Sequence, residues 1–424
     1  MWDHCLQHAA ISDLGLRRAN NQDAMKVVLA GSQQMFQKRG HLFMVADGMG
    51  AHAAGELASK LATDTVALSY PKQVDRSPPE ALAAAITEAN AQIHRRGQDS
   101  PDFRGMGTTS TALLLLPRGA VVAHVGDSRA YRLRDGRIEQ LTFDHSLVWE
   151  LRAAGQLPDD GAERVPKNVI TRSLGPNPQV QIDLEGPFPI QPGDSFLLCS
   201  DGLTGQVEDD ELGMIVASMP PDEAAAVLVD LANLRGGPDN ITVIVVRVSA
   251  PLAAEGAGGA SAPESRSAPT RPVHPAIWTI LGVSALAGLG LVAMQKWLAA
   301  LIGLGVAALA AVAALVQRYG GDEVAEGFGG RPLGRGPHTA SPAAPNAEFV
   351  DRLGELLERL RALAKQEDWP MDWSRLGQLT GQSAASKSAG DYPAAVRQSC
   401  EAIRFMMRQL RHRRDAASDS SIFG

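Results

Sequence analysis

A chain of 424 residues is too long for one ordinary hydrophobic core, so two or three domains are expected. Its 45% hydrophobic and 21% charged residues are those of a globular protein, and a net charge of -7 argues against a nucleic-acid partner. Cys5, Cys199 and Cys400 lie far apart with no CxxC pair, which excludes a zinc ribbon, disfavours a disulfide framework and fits a reducing compartment. The N-terminal MWDHCLQHAAISD has neither a basic n-region nor an apolar h-region, so no secretory signal is read there.

Residues 1–248 alternate strand-like apolar runs with alanine-rich helical ones. Five stretches share one grammar, in which a strand or turn delivers an aspartate beside glycine, serine or asparagine. They are SDLGLRRANNQDA with Asp23, VADGMG with Asp47, VGDSRAY with Asp127, LLCSDGLTG with Asp201 and GGPDNITVIVV with Asp239. If their strands are neighbours, the carboxylates meet in one cleft, where like charges repel and raise each other's pKa. A bound cation relieves that repulsion, and oxygen ligands without Cys or clustered His select a hard metal such as Mg²⁺ or Mn²⁺. Gly48, having no Cβ, then lets its carbonyl approach the metal and the chain turn sharply. Taken singly, each aspartate could instead be a turn or N-cap residue, and Asp127 could simply pair with Arg129.

Residues 249–275 are rich in Ala, Gly, Ser and Pro and read as a linker. Within 276–317 two uncharged apolar runs, Ile277 to Met294 and Leu298 to Val316, flank Gln295-Lys296-Trp297. Each approaches the ~20 residues that cross a ~30 Å hydrocarbon core, so a transmembrane helical hairpin is expected. A single span with an interfacial second helix, or a buried hairpin in a soluble domain, are the alternatives. Arg271 and Arg318 on the outer flanks place both termini, and hence the first domain, in the cytoplasm. Residues 318–346 read as a second flexible linker. In 347–414, Phe349, Leu353, Leu356, Leu357, Leu360 and Leu363 recur at helical spacing. Asp391 then caps a helix lined by Val396, Cys400, Ile403, Met407 and Leu410. This small α-helical module carries no catalytic set and is expected to bind a partner of unknown kind. Its basic end, RQLRHRR, reads as favourable charge at a helix C-terminus, followed by a disordered tail at 415–424.

Seven motifs in order give the first domain a family resemblance: SDLGLRRANNQD, ADGMGAHAAGE, GMGTTSTALLL, VGDSRAYRLRDGRIEQLTFDHS, ITRSLG, CSDGLTG and GGPDNIT. Together they resemble the bacterial branch of the metal-dependent PP2C-type (PPM) serine/threonine protein phosphatases, over roughly His8 to Val248. The resemblance implies an αββα sandwich, two antiparallel β-sheets flanked by helices. It implies hydrolysis of phosphoserine and phosphothreonine on proteins, with two Mg²⁺ or Mn²⁺ ions and a third in some relatives. Asp47, Asp201, Asp239 and the Gly48 carbonyl would be direct ligands, Asp23 would act through water, and Asp127 would serve the third metal. Asn240 would buttress the Asp239 loop. Arg18, with Arg17 as the neighbouring alternative, would grip the substrate phosphate, and His52 would be the general acid. Such chemistry is self-consistent: paired metals activate a water in line with phosphorus, arginine meets the growing phosphoryl charge, and an imidazolium protonates the leaving alkoxide.

Two positions depart from the family pattern. Gln22 stands where Glu is common beside Asp23, and can orient water without adding charge. Ala51 replaces a frequent glycine before His52, which matters only if that backbone needs a positive φ. A Ser/Thr kinase or its substrates are the natural targets that the family implies. The rival readings are a phosphoprotein-binding pseudoenzyme scaffold and a phosphatase of an anti-anti-sigma-like regulator. Thr108, Thr109 and Ser110 read as strand residues, His124 and Cys199 as core, and Asp144-His145 as a loop anchor.

Overall fold

A computed structural model describes residues 5–51, 53–156, 165–166, 169–250, 252, short stretches between 283 and 308, 333–369 and 371–422. The chain divides into two units, Met1–Ala254 with Gly327–Gly424, and Glu255–Glu326. The first unit begins with β1 (Leu6–Asp13), β2 (Asp23–Val28), α1 (Gln33–Arg39), β3 (His41–Met49), α2 (Ala54–Ser69) and α3 (Pro78–Asp99). Next come β4 (Gly107–Thr108), β5 (Ser110–Leu116), β6 (Gly119–Val125), β7 (Arg129–Arg134), β8 (Arg137–Gln140) and α4 (Leu147–Ala153). They are followed by β9 (Asp183–Phe188), β10 (Ser195–Cys199), α5 (Asp201–Thr204), α6 (Asp209–Ser218), α7 (Pro221–Leu234) and β11 (Ile241–Val248). After the second unit the chain returns as β12 (Thr339–Pro342), α8 (Ala347–Gln366), α9 (Trp373–Ser388) and α10 (Tyr392–Ile422).

The strands form two antiparallel sheets. One runs β1-β11-β10-β7-β8-β12, the other β2-β3-β5-β6-β9 with β4 beside β3. Period-two alternation explains why both faces of each sheet are apolar. On β3, Phe43 and Val45 point into a central core with Leu113, Leu115, Phe196, Leu198, Ile244 and Val246. Leu42 and Met44 point the other way, onto Ala58, Ala62, Leu82 and Ile86 of α2 and α3. On β11, Val243 and Val245 face away from that centre toward Leu212, Ile215 and Leu228 of α6 and α7. The expected sandwich of two antiparallel sheets between helical layers is therefore the architecture. Near-continuous apolar runs such as FMVA and ITVIVV are what strands covered on both faces require.

Three expectations about the C-terminal half need correction. Residues 318–346 are not linker throughout: β12 pairs antiparallel with β8, Thr339 opposite Gln140 and Ser341 opposite Ile138. That edge strand caps exposed backbone donors and acceptors of β8, which outweighs the unpromising Gly/Pro composition. Nor is the helical module a separate body. Phe349, Leu353, Leu357, Ile403 and Met406 share one core with Leu212, Ile215 and Val227. Arg352 pairs with Asp210 at 2.9 Å, and Arg397 donates to the Ser218 carbonyl at 2.8 and 3.0 Å. Asp391 does cap α10, its Oδ1 accepting from the Ala394 amide at 3.1 Å. The helix then continues to Ile422, so the basic stretch lies inside it and the expected break at 415 is absent.

A fragment ending at residue 254 would expose the faces of α6 and α7 that now carry Phe349, Leu353 and Ile403. We expect it to melt at least ~5 °C below the full chain and to bind an apolar-surface dye strongly. Equal melting temperatures would show that the module adds nothing to the core.

The second unit contains both apolar runs, and the expected hairpin at 276–317 lies largely outside the described residues. Among the described residues, no helix is long and apolar enough to cross a membrane.

Candidate metal centre

Register brings the first two carboxylates together. Antiparallel pairing of β2 with β3 sets Asp23 directly opposite Asp47. Like charges so placed repel, and nothing in sheet packing favours them. Asp201 opens α5 immediately beyond β10, and Asp239 lies just before β11, which pairs with β10. Asp127 sits in the turn between β6 and β7.

The five feel one another. Burial pushes the Asp23 carboxyl up to about 7, with hydrogen bonds from Ser200 and Thr242 opposing and Asp201 and Asp239 adding repulsion. Asp47 is held well above the ordinary range by burial, then by Asp23, Asp201 and Asp127. Burial, followed by Asp201, pushes Asp127 up to about 8, and Asp201 is raised by burial and then by Asp239.

Polar groups around the cluster fix it without satisfying it. The Ser200 hydroxyl donates to Asp23 Oδ2 at 2.7 Å. Thr109 Oγ1 accepts from the Asp47 amide at 2.8 Å, and Thr108 Oγ1 donates to the Asp47 carbonyl at 2.8 Å. Arg18 pairs with Asp239 Oδ2 at 2.7 Å. Yet Oδ1 of Asp127, a residue only 7% exposed, and Oδ1 of Asp201 are buried without a hydrogen-bond partner. Orphaned carboxylate oxygens are costly unless something cationic meets them. Among the described residues no three acidic, His or Cys side chains close into a finished cage. The all-oxygen donor set fits a hard divalent cation.

The bland alternatives fare poorly. The N-cap of α5 is Ser200, not Asp201, and Asp201 Oδ1 is buried without a hydrogen-bond partner. Arg129 forms its ion pairs with Asp144 at 2.7 Å and Asp209 at 3.5 Å, and its charge only partly offsets the burial and repulsion that raise Asp127. His145 fixes the neighbouring loops, its Nδ1 accepting from the Gly126 amide at 2.9 Å and its Nε2 lying 3.0 Å from Asp183. His124 and Cys199 are fully buried, as read from the sequence.

Several supporting roles differ from expectation. A Cβ on Gly48 would lie 2.1 Å from the Gly55 carbonyl and 2.5 Å from that of Gln22, so close packing of β3 against α2 already demands glycine. Asn240 does more than brace Asp239. Its Nδ2 donates to the Leu14 and Asn20 carbonyls at 2.9 and 3.1 Å, and its Oδ1 accepts from the Gln22 amide at 2.8 Å. It thereby stitches the Asp239 loop to the β1–β2 loop that carries Arg18. Gln22 donates through Nε2 to the Gly50 carbonyl at 3.2 Å, a fixing contact for the turn after β3. Among described non-glycine residues, positive φ is confined to Asp135, Gln295 and Asp368, so Ala51 needs no glycine. His52 lies outside the described residues. Thr108, Thr109 and Ser200 were missed as site residues. Their signal was a run of hydroxyls where purely apolar strands would suffice.

The family described as protein phosphatase 2C matches residues 17–225. Protein phosphatase PhpP of Streptococcus pneumoniae is 38% identical over 249 residues, 58% of this chain and 98% of that protein. Serine/threonine protein phosphatase PstP of Mycobacterium tuberculosis is 37% identical over 245 residues, 57% of this chain and 45% of that protein. Among solved structures, the M. tuberculosis phosphatase PstP/Ppp (37% identity) matches with a TM-score of 0.50, covering 57% of this chain and 99% of that one. The S. agalactiae serine/threonine phosphatase (34% identity) gives 0.51, covering 57% of this chain and 100% of that one.

Proposed function

Because this chain belongs to the protein phosphatase 2C family and is a serine/threonine protein phosphatase, we propose that the cluster of Asp23, Asp47, Asp127, Asp201 and Asp239 is its catalytic metal centre. The orphaned, buried oxygens of Asp127 and Asp201 carry this reading. Asp47, Asp201, Asp239 and the Gly48 carbonyl would hold two Mg²⁺ or Mn²⁺ ions, Asp23 would act beside them through water, and Asp127 would serve a third. When bound, such ions neutralise phosphoryl charge and activate water for in-line attack.

The chain's own residues supply the rest. Arg18 is 47% exposed and pairs with Asp239 at the edge of the cluster, where a planar guanidinium can turn toward a phosphoryl group. Asn240 keeps the loops of Arg18 and Asp239 in one register. His52 follows Asp47 by five positions and is the proposed proton donor to the departing serine or threonine oxygen.

We further propose that the apolar runs at 276–317 tether the enzyme to a membrane, with catalytic unit and C-terminus cytoplasmic. Their length and lack of charge support this, as does the exposure of Leu286 (72%), Leu298 (82%) and Leu301 (69%). Tethering would concentrate the enzyme near membrane-bound phosphoproteins such as a Ser/Thr kinase or its substrates.

The test is phosphate release from a phosphothreonine peptide by the purified full chain. Turnover with Mn²⁺ that a chelator abolishes is the expected result. Peptide binding without release, Mn²⁺ present, would leave a scaffold. In sealed vesicles, protease should digest both the catalytic unit and the C-terminus from the same side; protection of only one of them would break the two-span arrangement.

A further inference from the structure

The last helix reaches the loop that carries Arg18. Arg411 on α10 pairs with Asp230 of α7 at 2.7 Å and lies 3.8 Å from Asp13, the final residue of β1. Those two carboxylates repel each other, and burial lifts Asp230 to about 6, with Arg411 the foremost opposing influence. Asp13 is more than a surface charge. Its Oδ1 accepts from the Gly15 amide at 2.9 Å and from Asn233 Nδ2 at 3.0 Å, while Oδ2 faces Arg411. Gly15 has φ +78 and is so close to the Asp239 carbonyl that a Cβ would lie 2.1 Å from it. The Leu16 amide donates to the Gly237 carbonyl at 2.8 Å. Beyond Leu16 come Arg17 and Arg18.

The turn from Asp13 to Leu16 is thus pinned on one side by the Asp239 loop. On the other side a cavity of about 200 Å³ separates Leu14, Gly15 and Leu16 from Met407, Leu410 and Arg411. Across that gap, the guanidinium on Asp13 is the polar tie between helix and loop.

We propose that Arg411 is a positioning residue for phosphate recognition: by bridging Asp230 and Asp13 it sets the turn from which Arg18 projects. This rests on the reading of Arg18 as the phosphate-gripping residue. The Arg411 side chain is 50% exposed and lies one turn beyond Met407, the last deeply buried residue of α10 among those described, so its replacement removes no core side chain.

The experiment uses the full chain with Mn²⁺, measuring kcat and KM for a phosphothreonine peptide and inhibition by inorganic phosphate. Arg411→Ala should raise KM and the phosphate inhibition constant together by about threefold to fivefold, the range open to a half-exposed ion pair, with kcat within about twofold. Arg411→Lys should recover most of that loss, and on an Asp13→Asn background Arg411→Ala should add nothing. Arg18→Ala is the separating control. If it raises both constants while Arg411→Ala leaves them unchanged, the positioning role is wrong and the Arg18 reading stands. If Arg18→Ala changes neither constant, both fall. A fall in kcat at constant KM in Arg411→Ala would also overturn the proposal, because general loosening and not phosphate positioning would be at work.

Discussion

Asp201→Asn should lose phosphopeptide turnover by on the order of a thousandfold with saturating Mn²⁺, while folding at least as stably without metal. Both halves follow from the same environment. The Asp201 carboxyl is raised by burial and by Asp239, and its Oδ1 has no hydrogen-bond partner, so in the metal-free protein it is a group the fold tolerates at a cost. An amide of nearly equal shape removes the repulsion from Asp239 and one of the charges that raise Asp47. It also removes a full ligand charge from the proposed centre. Wild-type protein at a hundredfold excess of Mn²⁺ over its Kd should gain about 2.7 kcal/mol, or roughly 5–10 °C in Tm for a domain of this size. The variant should lose that shift. Comparing Tm with and without Mn²⁺ separates loss of metal from loss of fold, and retained turnover in Asp201→Asn would remove the metal mechanism altogether.

The aspartates were legible because each violates the preferences of its surroundings. Asp47 interrupts an apolar strand, and Asp23 faces it across a ladder where packing would choose almost any other pair. A carboxylate placed against propensity signals chemistry. Glycine was harder to interpret. At Gly48 the sequence told that a side chain was unwelcome, but the objecting atoms are the carbonyls of Gly55 and Gln22, which only tertiary packing reveals. Sheet layering was hidden for a similar reason. The apolar runs of β3 and β11 announce burial on both faces, and nothing within a run says which face meets the other sheet.

Two of the three described C-terminal helices, α8 and α10, were legible because their apolar stripes have period 3.6 and Asp391 caps the second, whereas α9 was not read and neither was the Asn346 cap of α8. The partner of these helices was not legible either. An amphipathic stripe states that something covers it, and α6 and α7 present no complementary sequence signal to identify themselves. Arg411 illustrates the point most plainly. In RQLRHRR it is one arginine among several, and only the fold distinguishes it by setting Asp13 and Asp230 before it.

Metal-free protein should lose stability as pH rises from 6.5 to 8, a direction opposite to that of most folded carboxylates. The sign follows from Asp23 at about 7 and Asp127 at about 8, both far above the unfolded range near 4. Through this window the unfolded chain has already released these protons and the folded chain still binds them. Fewer protons on the unfolded state means that ΔG of unfolding falls with pH. Asp47, held well above the ordinary range, adds to the loss in the same direction. His124 is pushed down to about 3 by burial and then by His145, so it costs stability only when pH drops below its ordinary range near 6.5. Asp230, at about 6, has largely titrated before the window opens. Asp23 and Asp127 alone give a loss of about 2 kcal/mol between pH 6.5 and 8, or roughly 4–8 °C in Tm, and Asp47 can only enlarge it. Saturating Mn²⁺ should flatten or reverse that slope, since cation binding displaces the same protons and strengthens as they leave. Asp127→Asn should shrink the metal-free slope, removing the larger of the Asp23 and Asp127 contributions. Chelator-treated protein whose Tm is level or rising across this window would mean that the five aspartates are not gathered as described, and the proposed centre would lose its physical basis.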